Sequence, residues 1–374
     1  MNKNNASNMQ SNTKMGPPPL HLYYRLVFYF FRCSAITGFS TQNEKRTIAE
    51  KLLILISYII IITQSTMIFS IITTSRITTM VVGWIVKDTS TVCLRYFLCL
   101  RAPRLGEVAR RLSAINTMKD RRFNLQFNIL VWSSIIYFLL HVTSMCVACY
   151  RSEICEHKSF FFGVQVQDPN TALLINELLS FTFILFSTTP VNTFTVYFMT
   201  VCHDIVSLFE AYKKHLTLQS THDYQTLLQK HFSLRKLVLE IDSHISCIVF
   251  WASLNNAFSI YLAVYGVAEK ADSSIELKIL ILIELPYNTF MLFFMCLWAD
   301  RVSTSAASVA EEVHSLEENS RGSPEMHIRY LYLANRDVHL TVWGLFPLKK
   351  SFLFSALGNM ITYTMLSKDI FKSE

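Results

Sequence analysis

Charged residues are scarce in this chain. Of its 374 residues, 16% are Asp, Glu, Lys or Arg, whereas 51% are hydrophobic, and the mean hydropathy is +0.32. Soluble domains carry about a quarter charged residues. A surface this poor in charge would not keep a single globule of this size in water. The composition instead fits helices that bury apolar side chains in lipid.

Motifs for soluble chemistry are also missing. No Cys or His spacing reads as a zinc site, and no constellation has catalytic spacing, so neither an enzyme nor a cofactor is predicted. No nucleic-acid-binding motif accompanies the net charge of +7, and the basic residues lie between apolar runs, where they set topology. Most of the nine cysteines lie inside apolar runs. For Cys146, Cys149 and Cys155, near a predicted external loop, a local disulfide stays open.

Seven apolar runs follow one another, each near the ~20 residues needed to cross a bilayer. They lie at about 52–72, 77–99, 125–148, 171–202, 245–267, 276–299 and 351–370. Residues 1–19 are rich in Asn, Ser and Lys and end in Gly-Pro-Pro-Pro, which predicts a disordered cytoplasmic tail rather than a cleaved signal peptide. Residues 20–33 are apolar but too short to span, which favours an interfacial helix.

Lys and Arg alternate in number along the segments that join these runs. The segment before the first run and the links after the second, fourth and sixth hold five to seven each, whereas the other links hold one or two. The positive-inside rule therefore predicts a cytoplasmic N-terminus and, with seven spans, an extracellular C-terminus. Helical periodicity continues into the link 203–244, so spans four to six are expected to project into a cytoplasmic bundle. A further amphipathic helix is predicted from Pro324 to about Trp343.

Seven spans would ordinarily suggest a G-protein-coupled receptor, but the predicted orientation is the reverse of the one in that class. The sequence also has no Asp-Arg-Tyr at the inner end of the third span and no Asn-Pro-x-x-Tyr in the last. A metabotropic or accessory seven-span receptor without a pore of its own remains an alternative interpretation.

The C-terminal segment carries the most specific pattern in the chain. It resembles the terminal signature of the insect gustatory receptor family, which is part of the insect chemoreceptor superfamily. The matching positions are Gly344, Phe346, Leu348, Ser351, Thr362 and Tyr363. Asp369 and Ile370 stand where that signature has Gln and Phe, and the match covers only this end of the chain.

The resemblance implies an all-α membrane protein with seven transmembrane helices that assembles as a tetrameric, ligand-gated, non-selective cation channel. The tetramer is a homo- or heterotetramer with other gustatory receptors, in the plasma membrane of a sensory neuron, and its partners are a small-molecule tastant and membrane lipid. The chain then divides into a tail, 1–19, a bundle with ligand pocket and cytoplasmic anchor, 20–345, and a pore-lining last helix, 346–374. An odorant-type receptor of the same superfamily stays open.

Four residues of the last span are candidates for the pore. Gly358, Thr362, Leu366 and Asp369 are spaced four, four and three apart and so share one face of a helix. Four copies would give an apolar ring at Leu366, which can gate by dewetting, and a carboxylate ring at Asp369, which favours cations. The alternative is that Leu366 faces lipid or a neighbouring helix and that Asp369 is a solvated helix end.

Polar and aromatic side chains inside the other spans are candidate ligand contacts, because such groups are costly in lipid and usually face a cavity or a partner. Glu284 is the strongest candidate. The others are Trp84 with its neighbours Lys87 and Asp88, Tyr137, His141, Asn176, Glu177, Asn255, Asn256, Tyr261, Tyr287 and Asn288. The alternatives are packing for the aromatic residues, a satisfied core histidine for His141, and interhelical hydrogen bonds for Asn255 and Asn256. Such a set suits a sugar or a bitter amphiphile, and the sequence does not decide between them.

Overall fold

The computed structural model describes residues 20–37, 39, 48–74, 79–115, 121–151, 160–161, 164–165, 168–218, 224–269, 275–315 and 324–371. The predicted tail, 1–19, lies outside them. The helices are α1 Leu22–Cys33, α2 Ile48–Thr74, α3 Thr79–Ile115, α4 Arg121–Arg151, α5 Pro169–Leu218, α6 Tyr224–Glu269, α7 Ile275–His314, α8 Pro324–Ala334 and α9 Lys350–Phe371. Two short antiparallel hairpins pair β1 Phe160–Phe161 with β2 Val164–Gln165 and β3 Thr341–Val342 with β4 Phe346–Pro347.

The seven predicted spans coincide with seven long helices, α2 to α7 and α9. Within the described residues, five of these helices contain a stretch that is long and apolar enough to cross a membrane: Ile48–Thr66, Phe123–Ser144, Leu185–Thr217, Gln225–Gly266 and Ile281–His314. The predicted second and last spans lie on α3 and α9. The run on α3 is interrupted by Lys87, Asp88 and Arg95.

Helices α5, α6 and α7 are much longer than one membrane crossing. They contain 50, 46 and 40 residues, against about 20 for the hydrocarbon core of a bilayer. Apolar residues continue at helical spacing beyond the predicted spans, and Phe209, Leu216 and Leu227 are buried there. Helix α8 packs against α6 and α7 in the same region. The three helices therefore extend into a packed bundle, as the periodicity predicted.

Helix α1 is more deeply packed than a helix lying on a membrane surface. Tyr24, Val27 and Phe31 are buried, and the helix lies along α5. The hydroxyl of Tyr24 donates a 2.8 Å hydrogen bond to Asp204 of α5. The predicted helix is therefore present, but one of its apolar faces is covered by protein rather than by lipid headgroups.

Arg95 of α3 is fully buried and joins four helices. Its guanidinium donates hydrogen bonds to the carbonyl oxygens of Ser34 and Phe186, each at 2.9 Å, and to the hydroxyl of Ser57 at 3.3 Å. These acceptors belong to the end of α1, to α5 and to α2. Arg95 is not among the residues predicted from the sequence, although an arginine within an apolar run signals a buried partner.

The helix predicted from Pro324 to about Trp343 is shorter than expected and ends at Ala334. Beyond it Val338, Leu340 and Val342 are buried, while the residues between them are more exposed. Burial of every second residue belongs to extended chain rather than to a helix. This segment runs into the β3–β4 hairpin, which precedes α9.

Candidate ligand site and pore helix

Glu284 of α7 lies at the centre of a buried polar cluster. Its Oε1 atom is 3.6 Å from Nζ of Lys87 in α3 and 3.6 Å from Nδ1 of His141 in α4. The side chains of Glu284, Lys87 and His141 are only 9%, 16% and 9% exposed. Opposite charges attract strongly in such a low-dielectric interior. The contact therefore gives the carboxylate of Glu284 and the ammonium of Lys87 the charge partners that burial in a membrane bundle requires.

Two tyrosines stack beside this cluster. The rings of Tyr137 in α4 and Tyr287 in α7 are parallel to within 4°, with centroids 3.7 Å apart, and both side chains are buried. The hydroxyl of Tyr287 donates a 3.1 Å hydrogen bond to Ser134. Tyr137 lies one turn before His141 on α4, and Tyr287 lies three residues after Glu284 on α7, so the tyrosine pair lies next to the Glu284 cluster.

Asn255 of α6 joins α6 to α3. Its side-chain amide donates hydrogen bonds to the hydroxyl of Thr91 at 2.6 Å and to the backbone oxygen of Lys87 at 3.2 Å. Asn288 of α7 donates to the backbone oxygen of Glu284 in its own helix, at 2.8 Å. Asn255 therefore acts as an interhelical contact in this structure and also lies next to the Glu284 cluster.

Trp84 and Tyr261 lie further along the contact between α3 and α6. The ammonium of Lys87 is 4.8 Å from the ring centroid of Trp84, a cation–π contact. A Cβ atom built on Gly83 would lie 3.4 Å from a ring atom of Tyr261 and 2.7 Å from Leu262. The two helices approach this closely because residue 83 has no side chain.

The remaining candidates are not brought into the cluster by the contacts described. Asn256 is fully buried, and among the described residues neither polar atom of its side chain has a hydrogen-bond partner. The side chains of Asn176 and Glu177 lie outside the described part of the structure, as do those of Cys146 and Cys149 and the whole of Cys155. The local disulfide that the sequence left open and the predicted outer end of span four therefore lie outside the described residues.

A small polar cavity adjoins the cluster. Its free volume is about 20 Å³, which is room for about one water molecule. The lining side chains come from α3 to α7 and are Lys87, Asp88, Thr91, Tyr137, Ser187, Thr188, Val191, Asn192, Asn255, Ser259 and Asn288. Binding of any larger molecule at this place therefore requires side chains or helices to move.

The hydroxyl side chains of this site were not predicted from the sequence. Thr91 and Ser134 each bond back to their own helix, to the oxygens of Lys87 at 3.1 Å and Leu130 at 2.8 Å. Such back-bonding is common for Ser and Thr in helices. The residue types therefore gave no signal that distinguished these positions from the many other hydroxyl residues in the spans.

The family-like C-terminal pattern forms the hairpin that precedes α9. Gly344 has φ +72°, a conformation that favours glycine, and lies at the turn between β3 and β4. Leu348 is buried, and its N–H donates to the oxygen of Leu340 at 2.9 Å. Phe346 and Ser351 are exposed. Two matching positions thus have a direct structural role in shaping and anchoring the hairpin.

The hairpin binds α6, and the start of α9 binds α7. Asp242 of α6 accepts hydrogen bonds from the N–H of Thr341 at 2.7 Å and from its hydroxyl at 2.6 Å. The N–H of Trp343 donates to the oxygen of Ser246 in α6 at 3.1 Å. At the start of α9, Lys350 is 2.9 Å from Asp300 of α7. The last helix is therefore tied to the helices that also carry Asn255 and Glu284.

One face of α9 is partly described. Gly358 and Thr362 are both exposed, one turn apart, and the hydroxyl of Thr362 donates to the oxygen of Gly358 at 2.9 Å. A Cβ atom on Gly358 would have no neighbour within 4 Å. The side chains of Tyr363, Leu366 and Asp369 lie outside the described part of the structure. The upper half of the predicted pore face remains a prediction from helical spacing.

No family model and no curated protein matches this sequence. The fold, however, is similar to solved structures of the insect olfactory receptor OR5 from Machilis hrabei. The structure of that receptor in complex with eugenol has a TM-score of 0.71 and 14% identity, over 93% of this chain and 98% of the receptor chain. A second structure of the same receptor has a TM-score of 0.65 and 13% identity, over 92% of this chain and 97% of the receptor chain.

The likeness extends over nearly the whole chain and shows the fold. The chain is a multi-pass membrane protein with an all-α fold. This fold is the one that the insect olfactory receptor structures have. The sequence-based prediction of the fold is thereby confirmed, while identities of 14% and 13% leave the activity to be argued from the site.

Proposed function

We propose that this chain is the subunit of a chemoreceptor that is itself a ligand-gated, non-selective cation channel. The observation that carries the proposal is the buried cluster of Glu284, Lys87 and His141, where α7, α3 and α4 meet. Intramembrane ionisable groups of this kind usually mark a ligand or ion site. A small organic ligand is the expected agonist, since the similar olfactory receptor was solved with eugenol.

The connection from the cluster to α9 supports ligand gating. Helix α7 carries both Glu284, which lies in the cluster, and Asp300, which pairs with Lys350 at the start of α9. Helix α6 carries both Asn255, which lies next to the cluster, and Asp242, which binds the hairpin. A ligand larger than the present cavity needs side chains or helices to move, and we propose that it displaces some of these helices. Displacement of α6 or α7 would then move the hairpin and the last helix, which we propose lines the pore.

The C-terminal pattern favours a gustatory receptor over an odorant receptor. Hydrogen-bonding side chains beside stacked tyrosines suit a sugar or a bitter amphiphile, so we propose a tastant as the ligand. An odorant-type receptor is the second candidate, favoured by the similarity to olfactory receptor structures. The proposed location is the plasma membrane of a sensory neuron.

We further propose a tetramer, either of this chain alone or with other gustatory receptors. Large apolar side chains are exposed around the hairpin and the start of α9: Trp343 50%, Leu345 72%, Phe346 62% and Phe354 72%. Exposed apolar side chains this close together are typical of an interaction surface. In this assembly residues 346–374 form the pore, residues 20–345 form the surrounding bundle and anchor, and residues 1–19 form a cytoplasmic tail.

Recordings from excised membrane patches test the proposal. The full-length chain is expressed alone and with candidate gustatory receptor partners, and the patches are exposed to sugars, bitter compounds and volatile phenols without nucleotide. We expect a rapid cation current that reverses near 0 mV. Responses that need G protein or cytosol, or that never occur in excised patches despite normal surface level, would support a metabotropic or accessory receptor instead.

A further inference from the structure

An apolar groove runs along α1. Its volume is about 350 Å³, within the range of small-molecule sites. The walls belong to α1, α4 and α5, and almost all of the surface that they present is apolar. The principal lining residues are Leu26, Phe30, Cys33, Phe127, Val131 and Leu185.

Helix α1 presents three different faces around this groove. Tyr24 and Phe31 point into the protein and are buried, and Val27, which is also buried, lines the inner side of the groove. Leu26, Phe30 and Cys33, which recur at spacings of four and three, line the groove, and Leu26 and Cys33 are exposed at its rim.

The third face of α1, beside the groove, is basic. Arg25, Tyr29 and Arg32 are exposed and recur at the same helical spacing. Arg32 is 3.7 Å from Glu50 at the start of α2. Arg25 directly precedes Leu26, the lining residue nearest the N-terminal end of α1, and is therefore at that end of the apolar groove.

The groove lies in the half of the membrane next to the predicted cytoplasmic face. Tyr23 packs against Phe123 and Phe127, with ring centroids 5.3 and 4.7 Å apart, and these residues closely follow the Arg121–Arg122 pair at the predicted inner end of α4. From Tyr23 to Cys33 the helix rises by about 15 Å. Arg25 therefore lies at headgroup depth, and the groove extends from there into the hydrocarbon region.

We infer that this groove binds one acyl chain of an anionic phospholipid from the cytoplasmic leaflet, with its phosphate beside Arg25. An acyl chain matches the apolar walls, whereas a sugar or another polar tastant would leave its hydroxyl groups unpaired there. A chain that moves from the bilayer into the groove gains little hydrophobic free energy, so the choice among lipids depends on the headgroup. Each basic residue at an anionic surface favours binding about fivefold.

Lipid retention by the purified full-length protein tests the inference without recording current. The protein is equilibrated with equal amounts of phosphatidylglycerol and phosphatidylcholine of identical chains, and native mass spectrometry counts the lipids retained. We expect phosphatidylglycerol to be enriched, Arg25→Gln to lower the enrichment about fivefold and Arg25→Lys to preserve it. Equal retention of the two lipids by the wild-type chain would overturn the inference.

Groove-filling substitutions test the location. Leu26→Trp should reduce the retained phosphatidylglycerol several-fold, whereas Leu22→Trp, at an exposed position of the same helix outside the groove, should not. Val131→Phe fills the groove from the opposite wall and serves as the second variant. Full retention by both groove variants would overturn the inference.

Photocrosslinking of the unaltered chain needs no variant. Phosphatidylglycerol with a diazirine on one acyl chain should label peptides that contain Phe30 and Val131. Labelling of other helices only would reject this site. Displacement of the lipid by an apolar volatile compound at equal concentration would instead identify the groove as a site for such compounds.

Discussion

Arg95 of α3 donates a 2.9 Å hydrogen bond to the backbone oxygen of Phe186 in α5. Pro190 lies four residues further along α5 and has no N–H, so this oxygen has no helical donor. An unpaired carbonyl group inside a membrane protein is costly, as is an unpaired arginine. Each of the two groups therefore compensates the other, and Arg95 also binds the oxygen of Ser34 at the end of α1.

This relationship predicts an energetic coupling between Arg95 and Pro190. Arg95→Met should destabilise the protein by about 2–4 kcal/mol, since three acceptors lose their donor. In the Pro190→Ala background the loss should be smaller by about 1 kcal/mol, because alanine at that position supplies an N–H for the Phe186 oxygen. Thermal unfolding of the four purified proteins in one detergent measures the cycle. Equal losses in both backgrounds would contradict the coupling.

The helices were predictable from the sequence because each span is a run of apolar residues near the length of a bilayer crossing. Arg95 also had a visible signal, an arginine inside such a run, but its acceptors are 38 to 91 residues away in sequence. Only the packing of α1, α2 and α5 around α3 brings them together. The same limit applies to Glu284, whose type and position indicated a site but not its contact with Lys87.

The C-terminal end of α8 was predicted wrongly for a different reason. The prediction extended helical periodicity from Pro324 to Trp343, although the segment from Val338 to Val342 alternates apolar and polar residues with period two. Alternation over so few residues is a weak signal beside a strongly helical neighbour. The size of the polar cavity was not predictable at all, since it depends on how five helices pack.

Variants of Glu284 and Lys87 should affect the stability of the protein and its response to ligand differently. Glu284→Gln leaves Lys87 buried without its charge partner and should lower stability by about 1–3 kcal/mol. Adding Lys87→Met removes the unpaired charge and should restore part of that loss. Thermal unfolding measures stability, and dose–response curves at matched surface level measure ligand response.

The double variant distinguishes a ligand contact from a structural pair. If Glu284 binds the ligand, the double variant should regain stability while its half-maximal concentration stays at least tenfold above that of the wild type. If both properties return together, Glu284 has a structural role only. An unaltered dose response of Glu284→Gln itself at normal surface level would also count against ligand binding.

Gly344 should be required for its backbone conformation rather than for space. A Cβ atom at this position would meet no atom within 4 Å, but φ is +72°. Gly344→Ala should therefore cost about 1–2 kcal/mol. Gly344→Asn should cost less than Gly344→Val, since asparagine tolerates this conformation and β-branched residues do not. Thermal unfolding of the three variants gives the order.

A helical glycine provides the control for this prediction. Gly358 also has open space around its Cα but lies within α9, where Gly358→Ala should be neutral or slightly stabilising. If the hairpin couples α6 and α7 to the last helix, Gly344→Val should also lower the maximal current at saturating ligand. A destabilisation by Gly344→Asn as large as that by Gly344→Val would contradict the backbone explanation.

Asp369 provides the most direct test of the proposed pore. Helical spacing places it on the face of Gly358 and Thr362, about 10 Å along α9 from Thr362. Four carboxylates at one level of a pore attract cations and bind divalent ions. Asp369→Asn should therefore lower the preference for cations over anions and weaken block by external calcium, both of which reversal potentials and dose–block curves measure. Lys368→Gln changes a neighbouring charge on a different face and should shift the reversal potential less. Unchanged permeability ratios and calcium sensitivity in Asp369→Asn would show that this carboxylate does not face the ion path.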